Sequence, residues 1–342
     1  MAEVDRRIPV ILLTGFLGSG KTSLLRQMLQ SAAMAGSAVL INELGEASLD
    51  HFLVEHIAED ISVLAAGCLC CRLRGDLARA LRQLFQRRLA RQIAALDRVV
   101  IETTGLAEPA AIIHTLQRDF FLAQRFRLEA VISTADACHV RQQLGRHAES
   151  LRQIVLADRI VLTKCDLVDS THQQACLAEL AALNPGARLF TSGGAGLPPG
   201  LFDGSAWSAQ QLPAQASTWL HEFAAATQAR ASGVFSAPAS PHAAQINSHV
   251  LRFAQPLDAA DFSLSMDNLL ATHGEKLLRL KGLLAFAGQP GGRIVQCVQH
   301  LRYPDISFAD WPDADPTSRL VCITAGLPRA QLTSAFAACS PD

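Results

Sequence analysis

Gly15-Phe16-Leu17-Gly18-Ser19-Gly20-Lys21-Thr22 fits the pattern G-x-x-x-x-G-K-[ST]. It lies between an apolar run, Pro9 to Thr14, and a stretch with helical spacing, Lys21 to Ala35. This commits the start of the chain to a strand, a phosphate-holding turn and a helix. Gly15, Gly18 and Gly20 let the backbone curl until its N–H groups and the positive end of the helix face an anion. Lys21 brings a point charge to the β- and γ-phosphates, the Thr22 hydroxyl is placed to ligate Mg²⁺, and Ser19 and Ser23 complete the nucleotide-binding run.

The rest of residues 1–205 repeats the alternation that such a turn requires. Apolar β-branched runs at Ala38 to Ile41, Arg98 to Glu102, Ala130 to Ser133 and Arg159 to Thr163 alternate with helical segments at Arg74 to Leu96 and Thr171 to Leu183. Alternation of this kind predicts an α/β P-loop NTPase fold with a mostly parallel sheet flanked by helices. Residues 206–245 are rich in Gly, Pro, Ser and Ala and read as a linker with one helix near Ser217 to Thr227. Residues 246–342 predict a smaller C-terminal α+β domain. Its strands are Ser248 to Phe253, Leu278 to Phe286, Arg293 to His300 and Arg319 to Ala325, and its helices lie near Ala259 to Thr272 and Arg329 to Ala337.

Composition excludes several partner classes. At 342 residues and 49% hydrophobic, the chain is long enough for two cores. Lys plus Arg is 30 against 31 for Asp plus Glu, so no overall field draws the molecule to nucleic acid or an anionic membrane. The longest apolar runs are far below the roughly 18 residues of a membrane span, and the N-terminus is unlike a signal peptide. The expected location is the cytoplasm, where nine cysteines are metal ligands, reactive thiols or buried hydrophobes before they are disulfides.

Hydrolysis of a bound nucleotide needs a group on the metal side and a sensor of the γ-phosphate. Val99-Val100-Ile101-Glu102-Thr103-Thr104-Gly105 supplies an apolar strand ending in a carboxylate, then a glycine. Glu102 is assigned to the magnesium shell, directly or through water, and Gly105 to phosphate sensing. Asp136 reads equally as a further acid of that shell or as a turn cap. Thr163-Lys164-Cys165-Asp166 stands where GTPases carry Asn-Lys-x-Asp. The Asp166 carboxylate can accept from both N1–H and the 2-amino group of guanine, whereas adenine leaves that acceptor unpaired. Lys164 lays its apolar stem along the base, and Thr163 replaces the Asn whose amide braces this loop.

Gly67-Cys68-Leu69-Cys70-Cys71 places three thiols within four residues, too close to bridge one another comfortably and suited to capture one soft cation. Three thiolates leave one tetrahedral position for a carboxylate, a His, water or a ligand from another protein. Glu46 and the nearer histidines are candidates, and an open shell is what a donor of metal requires. Cys297 and Cys322, standing alone, read as buried hydrophobes.

The phosphate loop, Asn42-Glu43-Leu44-Gly45-Glu46, Gly67 to Cys71, Glu102 to Pro109 and Thr163 to Asp166 together resemble the CobW family of P-loop GTPases, in the SIMIBI class. They resemble in particular its bacterial YjiA-like zinc-binding branch, where Thr also replaces Asn in the base loop. Lys276-Leu277-Leu278-Arg279-Leu280-Lys281-Gly282 and Trp311 are similar to the family's C-terminal domain, so the resemblance covers nearly the whole chain. It implies a GTPase of low intrinsic rate that cycles between GTP and GDP with Mg²⁺. It also implies that Cys68, Cys70 and Cys71 bind Zn²⁺, or Co²⁺, Ni²⁺ or Fe²⁺, and that the metal passes to a metal-dependent client protein. Asn42, Glu43 and Glu46 would belong to a switch segment. Because the cysteines fall between that segment and Glu102, nucleotide-dependent rearrangement of either neighbour would open or close the metal site. Only His242 and His249 stand near the linker, too few for the His-rich metal store of many members. The C-terminal domain is the expected client-facing or self-association surface, which admits a homodimer. The alternatives are a P-loop kinase or ATPase, a zinc buffer with structural nucleotide, and an activator serving cobalamin biosynthesis or nitrile hydratase.

Overall fold

The computed structural model describes residues 5–41, 63–65, 73–93, 96–194, 196–202, 246–309, 311 and 317–339. Asn42, Glu43, Glu46, Cys68, Cys70, Cys71 and the proposed linker helix lie outside the described residues. The chain divides into two compact units: Met1–Val140 with Ala157–Gln173 and Leu189–Ser205, and Arg141–Leu156 with Gln174–Arg188 and Ala206–Asp342.

The first unit is built on β1 (Ile8–Gly15), β2 (Ser37–Ile41), β3 (Val63–Ala65), β4 (Arg98–Glu102), β5 (Phe126–Asp136), β6 (Arg159–Thr163) and β7 (Arg188–Thr191). Among the described residues the sheet order is β3-β2-β4-β1-β5-β6-β7. The pairings from β3 through β6 are parallel. Central β1 has helices on both faces, which is why Val10 to Leu13 form an unbroken, fully buried apolar run rather than an alternating one. In the strand register Leu13 pairs with Glu102, Gly15 with Thr134, and Asp136 with Thr163. The ends of β4, β1, β5 and β6 therefore open onto one edge of the sheet, where open α/β folds bind ligands.

The helices of this unit are α1 (Lys21–Leu29), α2 (Leu73–Leu89), α3 (Pro109–Arg118) and α4 (Phe120–Arg125). α1 stops short of the predicted Ala35 because the Ser31 hydroxyl accepts from the Ala33 N–H and turns the chain into a 3₁₀ segment, Ala32–Met34. α2 ends at Leu89 rather than Leu96, and Arg91 there adopts φ 57°, the left-handed conformation that closes helices. α3 and α4 are additions to the elements expected from periodicity, although Pro109 at the first helical position signals the start. Asp119 ends α3 and caps α4 by accepting from the Leu122 N–H at 3.1 Å.

The second unit contains α5 (Val140–Arg146), α6 (Ala148–Leu156) and most of α7 (Ser170–Leu183). It also contains β8 (Ile246–Phe253), α8 (Ala259–His273), β9 (Leu277–Leu284), β10 (Gly292–Val298), β11 (Leu301–Arg302), β12 (Ile306–Phe308), β13 (Ser318–Ala325) and α9 (Arg329–Ala335). Its antiparallel sheet runs β11-β10-β9-β13-β8, with β12 on β10. One face buries Leu280, Cys297 and Cys322 against Phe262 and Met266 of α8 and Phe336, so both cysteines are core residues as expected. Phe262 and Phe336 stack with centroids 5.6 Å apart and planes 17° apart. α6 packs on β9, where the Arg279 guanidinium donates to the Leu156 carbonyl, and Asn184 donates to the carbonyls of Ile154 and Val155 at 2.8 and 3.0 Å. His249 is part of β8, its Nε2 3.1 Å from the Leu327 carbonyl. Among the described residues no helix is long and apolar enough to cross a membrane.

Candidate functional site

The phosphate loop leaves β1 at Gly15 and enters α1 at Lys21. Gly15 adopts φ 143°, and a Cβ there would collide with Thr134 and lie 2.7 Å from the Ser19 hydroxyl, so only glycine fits. Gly18 and Gly20 adopt φ 71° and 87°. Gly20 caps α1 with no side-chain acceptor, leaving the first N–H groups of the helix to an outside anion. Ser19 is wholly buried. Its hydroxyl binds the Phe16 carbonyl and the Thr134 hydroxyl, each at 2.7 Å, which makes its side chain a brace of the loop rather than a phosphate ligand. Ser23 is exposed on the first turn of α1.

Lys21 folds back over the phosphate loop. Its Nζ donates to the carbonyls of Gly15 and Phe16 at 3.0 Å each, in the place that phosphate oxygens would claim. Burial pushes its pKa below the ordinary lysine value, while the negative charge of Glu102 works against that shift. Thr22 Oγ1 donates to Glu102 Oε1 at 2.7 Å, and Glu102 is 4% exposed. A hydroxyl and a buried carboxylate brought together beside the phosphate loop form an all-oxygen donor pair, which suits Mg²⁺.

The residues after β4 approach the loop closely. The Thr103 N–H donates to the Leu13 carbonyl at 2.9 Å and its hydroxyl to Thr14 Oγ1 at 3.0 Å, extending the β1–β4 pairing by one step. Two residues on, a Cβ on Gly105 would stand 2.7 Å from the Leu17 nitrogen and 2.8 Å from its Cα. Gly105 is thus required by close approach of two backbones.

At the base end, Thr163 Oγ1 donates to the Ser19 carbonyl at 2.8 Å and to the Ala135 carbonyl at 3.1 Å. The braced partner is the phosphate loop itself. Lys164 follows at φ 57°, a left-handed position unusual for a long side chain, and its Nζ donates to Asp136 Oδ2 at 2.7 Å. Asp136 also accepts from the Cys138 N–H at 2.9 Å and faces His139 Nδ1 at 3.0 Å. Between its two sequence readings the structure favours the turn cap, with the ion pair to Lys164 added. Asp166 is exposed at the start of a 3₁₀ turn, Cys165–Leu167, free to meet a base.

Two features of the base end lie beyond the sequence pattern. One is the use of Asp136 as the anchor of Lys164, a pairing across 28 residues that no local pattern carries. The other is the segment after β7. The Ser192 N–H donates to the Leu162 carbonyl at 2.8 Å, and its carbonyl accepts from the Cys165 N–H at 3.2 Å. A Cβ on Gly193 would sit 2.8 Å from the Asp166 nitrogen. The Gly193-Gly194 pair after a strand is the available signal, masked by the linker-like composition around it.

Residues 9–191 match the CobW/HypB/UreG nucleotide-binding domain, and residues 246–340 match the cobalamin synthesis protein cobW C-terminal domain. The chain is 35% identical over 334 residues to the zinc chaperone YjiA of Escherichia coli (strain K12), covering 96% of this chain and 98% of that one. It is also 35% identical over 170 residues to the zinc-regulated GTPase metalloprotein activator 1 of Schizosaccharomyces pombe, covering 48% and 40% of the two chains. The crystal structure of Zn(II)-bound YjiA GTPase from E. coli superposes with a TM-score of 0.68 at 29% identity, over 97% of this chain and 98% of that one.

Proposed function

The chain belongs to the CobW family, joining the CobW/HypB/UreG nucleotide-binding domain to the CobW C-terminal domain, and from that premise we propose that it is a GTP-hydrolysing zinc chaperone. The observation that carries the catalytic half is the Thr22–Glu102 pair beside Lys21 in a glycine cradle. The relatives named zinc chaperone YjiA and zinc-regulated GTPase metalloprotein activator carry the metal half.

In this reading Gly15, Gly18 and Gly20 shape the phosphate cradle, and the Lys21 ammonium leaves the Gly15 and Phe16 carbonyls for the β- and γ-phosphates. Thr22 and Glu102 would hold Mg²⁺, which would supply positive charge beside the phosphates. Gly105 brings its backbone against the γ-phosphate, so that loss of phosphate releases the segment after β4. Asp166 reads the guanine edge, with Lys164 along the base and Thr163 tying the base loop to the phosphate loop.

The metal is the cargo. Cys68, Cys70 and Cys71 bind it as thiolates, with Glu46 a candidate fourth ligand. Zinc is the favoured ion, and Co²⁺, Ni²⁺ and Fe²⁺ suit the same donors. The cytoplasm, which keeps such thiols reduced, is the proposed compartment. The proposed division is a GTPase domain at 1–205, a linker at 206–245 and a client-facing C-terminal domain at 246–342. Turnover of GTP, with ATP as control, on metal-free and zinc-loaded protein tests the reading against a variant with all three cysteines changed to Ser. GTP-selective hydrolysis whose zinc response vanishes in the variant is the expected result. Turnover indifferent to zinc and to the cysteines would leave a nucleotide hydrolase without a chaperone cycle.

A further inference from the structure

The base end of the site contains a half-buried ion pair that the phosphate chemistry does not use. Asp136, whose side chain is 3% exposed, accepts from the Lys164 ammonium at 2.7 Å. The same carboxylate is fixed from its other side by the Cys138 N–H at 2.9 Å and faces His139 Nδ1 at 3.0 Å. Its backbone pairs with Thr163, the residue before Lys164, in the β5–β6 register. Lys164 is the member of the base loop with left-handed backbone, φ 57°. With its backbone left-handed and its ammonium on Asp136, the lysine stem is confined to the span between the two. Thr163 cannot supply that hold, because its one hydroxyl is already directed at the carbonyls of Ser19 in the phosphate loop and Ala135 in β5.

We propose that Asp136 is a positioning residue for guanine recognition, pinning the Lys164 ammonium so that the lysine stem forms a fixed wall against the purine while Asp166 reads its edge. The inference rests on the GTPase reading above. Thr163 joins the base loop to the phosphate loop, and Asp136 takes over the second brace, that of Lys164, from the strand next door. The pair acts on the base and not on the phosphates, so its loss lowers affinity for guanine nucleotides without changing turnover of nucleotide already bound.

Dissociation constants for GTP and ATP, with kcat and KM for GTP, test this on the full chain with four proteins: wild type, Asp136→Asn, Lys164→Met and the double variant. Asp136→Asn keeps an acceptor for the Cys138 N–H and removes the charge, and Lys164→Met keeps the stem and removes the ammonium. Each single variant is expected to weaken GTP about tenfold, weaken ATP less, since adenine loses only the wall and not the edge reading as well, and move KM for GTP rather than kcat; the double variant should be no worse than either. A GTP:ATP ratio equal to wild type in the single variants, or losses that multiply in the double, would overturn the proposal. If Asp136→Asn does not melt cooperatively, Lys164→Met against Lys164→Arg decides, since only Arg retains a cation for Asp136. Wild-type protein without preference for GTP would overturn the GTPase reading itself; preference that survives both substitutions overturns only the role of Asp136.

Discussion

Thr163 Oγ1 lies 2.8 Å from the main-chain oxygen of Ser19, so one hydroxyl joins the base loop to the phosphate loop across 144 positions of sequence. Valine has the same shape without the donor. Thr163→Val leaves the Ser19 and Ala135 carbonyls without this partner and should cost about 1–2 kcal/mol in unfolding free energy. Because the lost bond joins two halves of one site, GTP and GDP affinity should fall together. Urea unfolding and nucleotide titration of the same sample measure both; an unchanged nucleotide affinity beside reduced stability would mean the bond serves only the fold.

The Thr22–Glu102 contact makes a different demand. Glu102 is 4% exposed, and its negative charge acts on the Lys21 ammonium. Glu102→Gln keeps an acceptor for the Thr22 hydroxyl but removes the charge. GTP turnover should fall about 100-fold, with its Mg²⁺ dependence displaced to higher concentration, while GDP binding without Mg²⁺ stays close to wild type. Turnover measured across a Mg²⁺ series checks this, and a loss that no Mg²⁺ concentration reduces would assign Glu102 to water positioning instead.

Legibility in the sequence followed the range of the cause. β4 and β6 end where periodicity places them, because both are short runs buried on two faces, and the phosphate loop is a local pattern whose residues do their work within eight positions. Periodicity marks only Ala130 to Ser133 of β5, which runs from Phe126 to Asp136. Arg127 and Glu129 interrupt its apolar character, yet the Glu129 carboxylate is paired at 2.8 Å with Arg98 of β4, which lies on the far side of β1. α5 and α6, at 7 and 9 residues, span only about two turns each, too short for a periodic stripe to stand out along the chain. The Asp136–Lys164 pair and the Ser192–Gly194 wall depend on strands meeting in the folded sheet, and no window along the chain contains them.

Gly193 tests that wall directly. An added Cβ would meet the Asp166 nitrogen at 2.8 Å and Cys165 atoms at 3.2 Å, all parts of the base loop with little room to yield. Gly193→Ala should displace Asp166 and weaken GTP about tenfold, with a smaller effect on ATP. Equal affinities for wild type and variant would show that the loop gives way without moving Asp166.

Lys21 sets the pH response of binding. In the free protein burial holds its pKa below the ordinary value, against the pull of Glu102, so it loses its proton earlier than an exposed lysine as pH rises. Phosphates favour the charged form. Binding therefore restores the proton, and affinity should decline as pH rises through the lowered Lys21 value, most steeply for GTP and GDP and least for guanosine. Titrations of wild type and Lys21→Arg from neutral to alkaline pH check this, because the guanine N1–H is lost equally for both proteins while only lysine loses its charge; an identical decline of GTP affinity in the two would contradict the assignment.

Phe336 belongs to a core separate from the one that supports the phosphate loop. It is 1% exposed, stacked on Phe262 and set edge-on to Phe253 at 6.2 Å. Truncation to Ala removes a buried ring from a sheet face and should destabilise the second unit by about 3–5 kcal/mol. The phosphate loop, Glu102 and Lys164 all stand in the first unit on strands that make no use of this core. Phe336→Ala should therefore unfold in two steps, the earlier one indifferent to added GDP and the later one shifted upward by it, because ligand stabilises only the unit that binds it. Calorimetry with and without GDP separates the two. A single transition that GDP raises in full would mean that both units fold as one body and that the C-terminal core supports the nucleotide site.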